Sequence, residues 1–152
     1  MFDAMVFADY FQIMLLDPAS QADTSDAWDE LALRRRVVAA GDIVVISTAR
    51  DTKVPVRVDV RSTRPAVDLA PYDHAVECDL MVPSGSVVIA GPTAYLPDAE
   101  RIPVTPGRYR VLGLSSGLST LSEDGLAGAD SYTFLLWPAS APAPVEVRKQ
   151  ML

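Results

Sequence analysis

Reactive side chains are scarce in this chain: one cysteine, Cys78, one histidine, His74, and two lysines among 152 residues. A lone cysteine excludes an intrachain disulfide and agrees with a reducing compartment. Structural zinc would need carboxylates to complete its four ligands beside His74 and Cys78, and no such spacing occurs. No phosphate-cradling glycine motif is present, since Gly85 and Gly91 stand alone. The acidic, glycine-bearing stretch around Glu123, Asp124 and Asp130 lacks the D-x-[DN]-x-[DN]-G spacing of a calcium loop. No cofactor is expected.

Long apolar runs are lacking too. Met1 to Leu16 is interrupted by Asp3 and Asp9, and it has neither a basic n-region nor a small-residue cleavage site. No window approaches the roughly 20 apolar residues of a membrane span. The expectation is a cytoplasmic protein without a membrane partner.

What is present is a period of two. Between Asp42 and Trp137, short apolar runs alternate with Pro- and Gly-bearing turns, the pattern of an all-β sandwich or barrel. The reading is an antiparallel β-sandwich, jelly-roll-like, as a single domain over 1–152, with one short helix in the N-terminal half. Phe2 to Leu16 reads as a first strand ending at Asp17-Pro18. Ser25 or Asp26 caps a helix whose face carries Trp28, Leu31 and Ala32, with Arg34 to Arg36 near its C-terminal end and Gly41 as its cap. Trp28 is expected to pack this helix on the sheet.

Ile43 to Ala49 reads as a buried strand. Val54, Val56, Val58 and Val60 alternate with polar partners, and Pro55 puts that strand at an edge or confines pairing to the residues after it. Ala75 to Val82 and Val87 to Ala90 read as a hairpin across Pro83-Ser84-Gly85-Ser86. Arg101 to Val104, Arg108 to Leu114 and Ser131 to Trp137 complete the strands. Leu118 to Asp130 is a long loop, and Val145 to Leu152 a final β segment.

Two catalytic readings are set aside. Gly113-Leu114-Ser115-Ser116-Gly117 matches G-x-S-x-G, but no helix follows and His74 lies upstream of the serine, against the order of a hydrolase triad. His74 reads instead as a loop or capping residue. Cys78, flanked by Glu77 and Asp79, reads as a small buried hydrophobe. Tyr109, Tyr132 and Trp137 read as core posts. The chain is expected not to be an enzyme.

Charge is segregated. The net charge is −7, and residues 1–33 hold seven acids with no base. Residues 34–64 hold eight bases against three acids, and 65–100 hold six acids with no base. This disfavours direct nucleic-acid binding and points to a cationic protein partner, a nuclease or toxin. The expected contact residues are Asp17, Asp23, Asp26, Asp29, Glu30, Glu123 and Asp124, with Gly125 and Gly128 leaving their loop free to adapt. The competing reading is that the basic 34–64 block neutralises these acids. A small-molecule module or small enzyme using the sandwich loops is the alternative function. Eleven arginines against two lysines, with abundant alanine, look like a GC-rich bacterial genome.

Tyr10-Phe11-Gln12-Ile13, Ala27-Trp28-Asp29-Glu30, Ala39-Ala40-Gly41-Asp42 and Val82-Pro83, with Pro106-Gly107-Arg108-Tyr109-Arg110-Val111 and Asp130-Ser131-Tyr132-Thr133-Phe134, resemble the competence protein J family, inhibitors of the DNA-entry nuclease. Arg101 to Trp137 with Val76 to Gly91 is also similar to a common bacterial domain without an assigned activity. The resemblance implies an all-β, non-enzymatic inhibitor fold and assigns no contact residues. The basic 34–64 block and the acidic 123–130 loop are departures from that pattern.

Overall fold

Alternation along the strands becomes two sheets packed face to face. A computed structural model of the chain describes residues 1–151. The strands are β1 (Phe2–Phe7), β2 (Gln12–Leu16), β3 (Val37–Ala39), β4 (Ile43–Ser47), β5 (Lys53–Val60), β6 (His74–Val82), β7 (Ser86–Ala90), β8 (Ile102–Pro103), β9 (Gly107–Ser116), β10 (Ser131–Pro138) and β11 (Glu146–Lys149). One helix, α1, spans Glu30–Arg35. The larger sheet runs β1-β5-β10-β9-β6-β11 and the smaller β3-β4-β2-β7-β8. Pairing is antiparallel except between β5 and β10, which run parallel.

Between the sheets lies a core of Ile13, Leu15, Val44, Ile46, Val54, Val56, Val58, Val76, Cys78, Leu80, Tyr132, Phe134 and Leu136. Strand β4 is apolar without a break because both its faces are covered. Val44 and Ile46 face the core, while Ile43 and Val45 lie under Trp28, Ala32 and Leu96 on the outer side. The outer face of the larger sheet carries its own cover, with Val67, Leu69 and Tyr72 lying over Ala75, Leu112, Leu114, Leu135 and Trp137.

Several expectations need correction. Phe2 to Leu16 is two strands in different sheets, because Tyr10 and Phe11 take positive φ in a 3-10 turn and carry the chain across the sandwich. β6 and β7 are not a hairpin: the Pro83–Gly85 turn also crosses between sheets, so β6 pairs with β9 and β7 with β2 and β8. The helix is shorter than expected. Asp29 is its N-cap, accepting the Ala32 N–H at 2.8 Å, and Arg36 in the left-handed region ends it, in place of Gly41. Trp28 therefore precedes the helix, and Leu31 points outward at 43% exposure. Pro55 sits inside the sheet, opposite Met5, and β10 pairs with β5 only from Val56 onward. The last β segment is Glu146–Lys149; the part expected at Leu152 lies outside the described residues.

Candidate partner-binding surface

Folding divides the charged residues into a paired set and an uncommitted set. The paired set centres on Glu77, whose side chain is 1% exposed on the outer face of β6. Arg64 grips its carboxylate through both terminal nitrogens at 2.9 and 2.8 Å. Arg110 Nε (2.8 Å) and Arg148 Nη1 (3.0 Å) add two further hydrogen bonds. Burial pushes Glu77 up, but the hydrogen bonds from Arg64 and Arg110 outweigh it and hold the carboxyl down at about 2. Asp79 takes Arg108, Arg110 and the Ala143 N–H. Arg64 also lies over the Trp137 ring, 4.8 Å from its centre. The cluster ties the 61–73 segment and the C-terminal tail to the sheet.

A second buried cluster joins the β4–β5 link to the β9–β10 loop and the start of β10. Arg50 donates from Nε to Asp130 at 2.6 Å and from Nη1 to the Leu126 carbonyl. Tyr132 donates to Asp130 at 2.7 Å while its oxygen accepts the Ala49 N–H. Burial pushes the Tyr132 phenol up, and Asp130 adds to that shift.

Four of the eight bases of 34–64, Arg50, Arg57, Arg61 and Arg64, thus go to Asp130, Asp3, Asp59 and Glu77. None forms an ion pair with an acid of the 17–30 or 118–130 segments other than Asp130, among the described residues. Arg34 and Arg35 follow Glu30 on α1 without pairing to it.

The seven candidate contact residues divide in turn. Asp17 is fully buried, accepting the Ala19 N–H at 2.8 Å and the Ser84 N–H at 2.9 Å, so it pins a turn and faces no partner. Burial opposes ionisation of Asp17, but these bonds lower its pKa. Asp23 and Asp29 are exposed yet serve local turns, accepting from Ser25 and Ala32. Asp26 and Glu30 are exposed and make no hydrogen bond or ion pair through their side chains among the described residues. Glu123 is likewise exposed and uncommitted, whereas Asp124 accepts from the Ser122 hydroxyl and the Leu126 N–H.

The 17–30 acids flank the outer face of the smaller sheet, and Glu123 and Asp124 sit on the β9–β10 loop. That loop is not the adaptable one expected. Ser122 N donates to the Ala127 carbonyl, Ala127 N to Ser122 Oγ and Ala129 N to Thr120 Oγ1. At its base Gly117 has φ +68°, and a Cβ there would lie 2.3 Å from the Ala129 carbonyl. The two acids are presented on a preformed turn.

The rejected catalytic motif is now explained by geometry. Ser115 is buried within β9 and stands opposite His74 in register. Both imidazole nitrogens are occupied: Nε2 donates to the Arg35 carbonyl at 2.7 Å, and Nδ1 accepts the Met151 N–H at 3.0 Å. His74 has no nitrogen left to activate a serine, and it joins α1 to the C-terminal tail. Burial holds its pKa below the ordinary value, with the Arg35 carbonyl pulling the other way. Cys78 is buried, and burial pushes its thiol up to about 12, so it is unreactive. Among the described residues no group of three or more His, Cys, Asp or Glu side chains could hold a metal ion. No helix among them is long and apolar enough to cross a membrane.

These features define a two-sheet β-sandwich whose polar clusters serve packing and whose exposed Asp26, Glu30 and Glu123 remain uncommitted. The same fold occurs in ComJ of Bacillus subtilis, an inhibitor of the DNA-degrading activity of NucA. That structure superposes with a TM-score of 0.71 at 15% identity, covering 91% of this chain and 96% of that one. The protein described as crocagin biosynthetic gene J is also similar, with a TM-score of 0.61 at 21% identity over 90% of this chain and 95% of that one. No family model and no curated protein matches the chain.

Proposed function

We propose that this protein acts without catalysis, by binding a cationic protein such as a nuclease. The carrying observation is that Asp26, Glu30 and Glu123 are exposed and form no ion pair among the described residues, while Arg50, Arg57, Arg61 and Arg64 are engaged by other acids. Unpaired surface carboxylates steer a basic partner into encounter and compete with the phosphate backbone for its cleft. The fold shared with a nuclease inhibitor supports the same reading. A reducing, cytoplasmic setting suits the single buried thiol. An interior ligand site has less support, because Tyr132, Phe134, Ile13, Leu15 and Leu80 fill the space between the sheets.

The test is DNA cleavage by purified NucA with increasing amounts of this protein at low and physiological salt. Inhibition that weakens with salt is expected, and the triple variant Asp26→Asn, Glu30→Gln, Glu123→Gln should inhibit less. Undiminished cleavage at low salt, with no complex formed, contradicts the reading for that nuclease.

A further inference from the structure

Strand β1 ends the larger sheet, and its open side carries a groove. The Ala8 N–H donates to the Thr52 carbonyl at 2.8 Å, one step beyond the Phe7–Lys53 pair of the β1–β5 ladder. Antiparallel pairing alternates, so Val6, Ala4 and Phe2 exchange hydrogen bonds with β5. The N–H and C=O groups of Asp3, Met5 and Phe7 then turn to the open edge. The Phe7 carbonyl confirms this direction: it faces Gly91 so closely that a Cβ there would lie 1.8 Å from its oxygen. For Asp3 and Met5 the edge groups have no partner among the described residues.

Alongside this edge run two adjoining cavities, of about 600 and 310 Å³, that share Phe2 and Glu100 in their walls. The opposite wall is the 91–103 segment, which presents Tyr95 at 70% exposure. Asp98 and Glu100 lie on this wall without an ion pair among the described residues, and Arg101 turns one nitrogen back to the Ala99 carbonyl. Met5 and Phe7 are 62% and 49% exposed on the strand itself. A solvent-facing edge with apolar side chains is normally blunted by charge, proline or cover. Here the cover stands off by the width of a groove.

We propose that this groove takes an extended, basic segment of a partner protein, added to β1 as a further strand. Main-chain hydrogen bonds to Asp3 and Met5 would hold it, and its alternate lysine or arginine side chains would meet Asp98 and Glu100. A second copy of the chain is the poorer occupant, since it would bring the same unpaired carboxylates together. This surface is separate from Asp26, Glu30 and Glu123, so either can fail without the other.

The probe is a capped hexapeptide of alternating valine and arginine, compared with its valine–glutamate counterpart, followed through the backbone amide resonances. The arginine peptide should shift Asp3, Met5 and Phe7 together with Asp98 to Glu100, and the glutamate peptide should not. Met5→Pro removes only the donor that faces the groove, so it should weaken binding about ten-fold and leave the β5 ladder intact. Asp98→Lys with Glu100→Lys, which leaves β1 untouched, should weaken it comparably and guards against misfolding of the proline variant. Shifts confined to Asp23–Glu30 and Glu123–Asp124, an equal response to both peptides, or no response would overturn the proposal. So would a sedimenting dimer that Met5→Pro dissociates.

Discussion

Two acidic regions of this molecule have opposite fates. Glu77 and Asp79 lie on the outer face of the larger sheet, where four arginines meet them and the Glu77 carboxylate is almost wholly covered. Asp26, Glu30 and Glu123 carry the same chemistry on turns and a helix start, and nothing meets them among the described residues. Acidity alone therefore does not mark a candidate interface; the proposed contact residues are the carboxylates that the fold leaves uncommitted. Removing a charge from the first region should cost stability, and removing one from the second should cost only recognition.

The largest effect is expected at Glu77. Glu77→Ala removes the carboxylate shared by Arg64, Arg110 and Arg148, and leaves Arg110, whose side chain is 6% exposed, with Asp79 as its one remaining carboxylate. Because Asp79 still compensates Arg110, the cost is expected at the low end of the roughly 3–5 kcal/mol of an orphaned buried charge, about 3 kcal/mol, to be read from urea unfolding midpoints. A change below 1 kcal/mol would erase the distinction between the two regions.

Acid titration tests the same cluster without mutation. The folded-state pKa of Glu77 is held below its ordinary 4.5, at about 2. Its contribution is present above 4.5 and lost as pH falls toward 2, on the order of 3 kcal/mol in all. His74 acts earlier. Its folded pKa is lowered from 6.5, so the unfolded chain binds the proton more readily and stability declines as pH drops through that value. Thermal midpoints should fall in two stages on acidification, and His74→Gln should remove the first.

Trp28 should have a smaller effect. It is half-buried over Val38, Val45 and Val88, and its indole N–H is buried without a partner. Trp28→Ala is expected to cost about 2 kcal/mol, less than the 3–5 of a fully buried aromatic. Far-UV circular dichroism should remain β-dominated. The smallest effect on stability is expected from Asp26→Asn, Glu30→Gln and Glu123→Gln, within about 0.5 kcal/mol each by denaturant titration.

Strands announced themselves in the sequence wherever apolar period and burial coincide. Val54, Val56 and Val58 alternate because β5 has one wet face, and Ile43 to Ile46 run on because β4 has none. Sheet membership was not legible, because a crossover and a hairpin use the same turn residues. Pro83-Ser84-Gly85 could have closed a hairpin, and only packing sends β7 to the other sheet. Tyr10 and Phe11 gave no warning either, since neither is a residue that favours positive φ.

At the site, the acidic segregation was visible but the sorting was not. Asp17 and Asp26 look alike in sequence, and they part only when Ala19 and Ser84 close around the first. The Glu77 cluster had a readable signal. Glu77 and Asp79 alternate with Cys78 on β6 as Arg108 and Arg110 alternate with Tyr109 on β9, and Asp79 stands opposite Arg110 in register. The open edge of β1 left no such signal, because an edge is a property of strand order.

The most direct test of the central claim is the rate of association with NucA, measured by stopped flow across ionic strength for the wild type, the triple variant Asp26→Asn, Glu30→Gln, Glu123→Gln, and Asp59→Asn as a paired-acid control. Steering by uncommitted carboxylates predicts that the triple variant associates several-fold more slowly at low salt and with a flatter salt dependence, while dissociation barely changes. The control should follow the wild type, because Asp59 is already engaged by Arg61. Identical rates for all three proteins at every ionic strength would contradict the account.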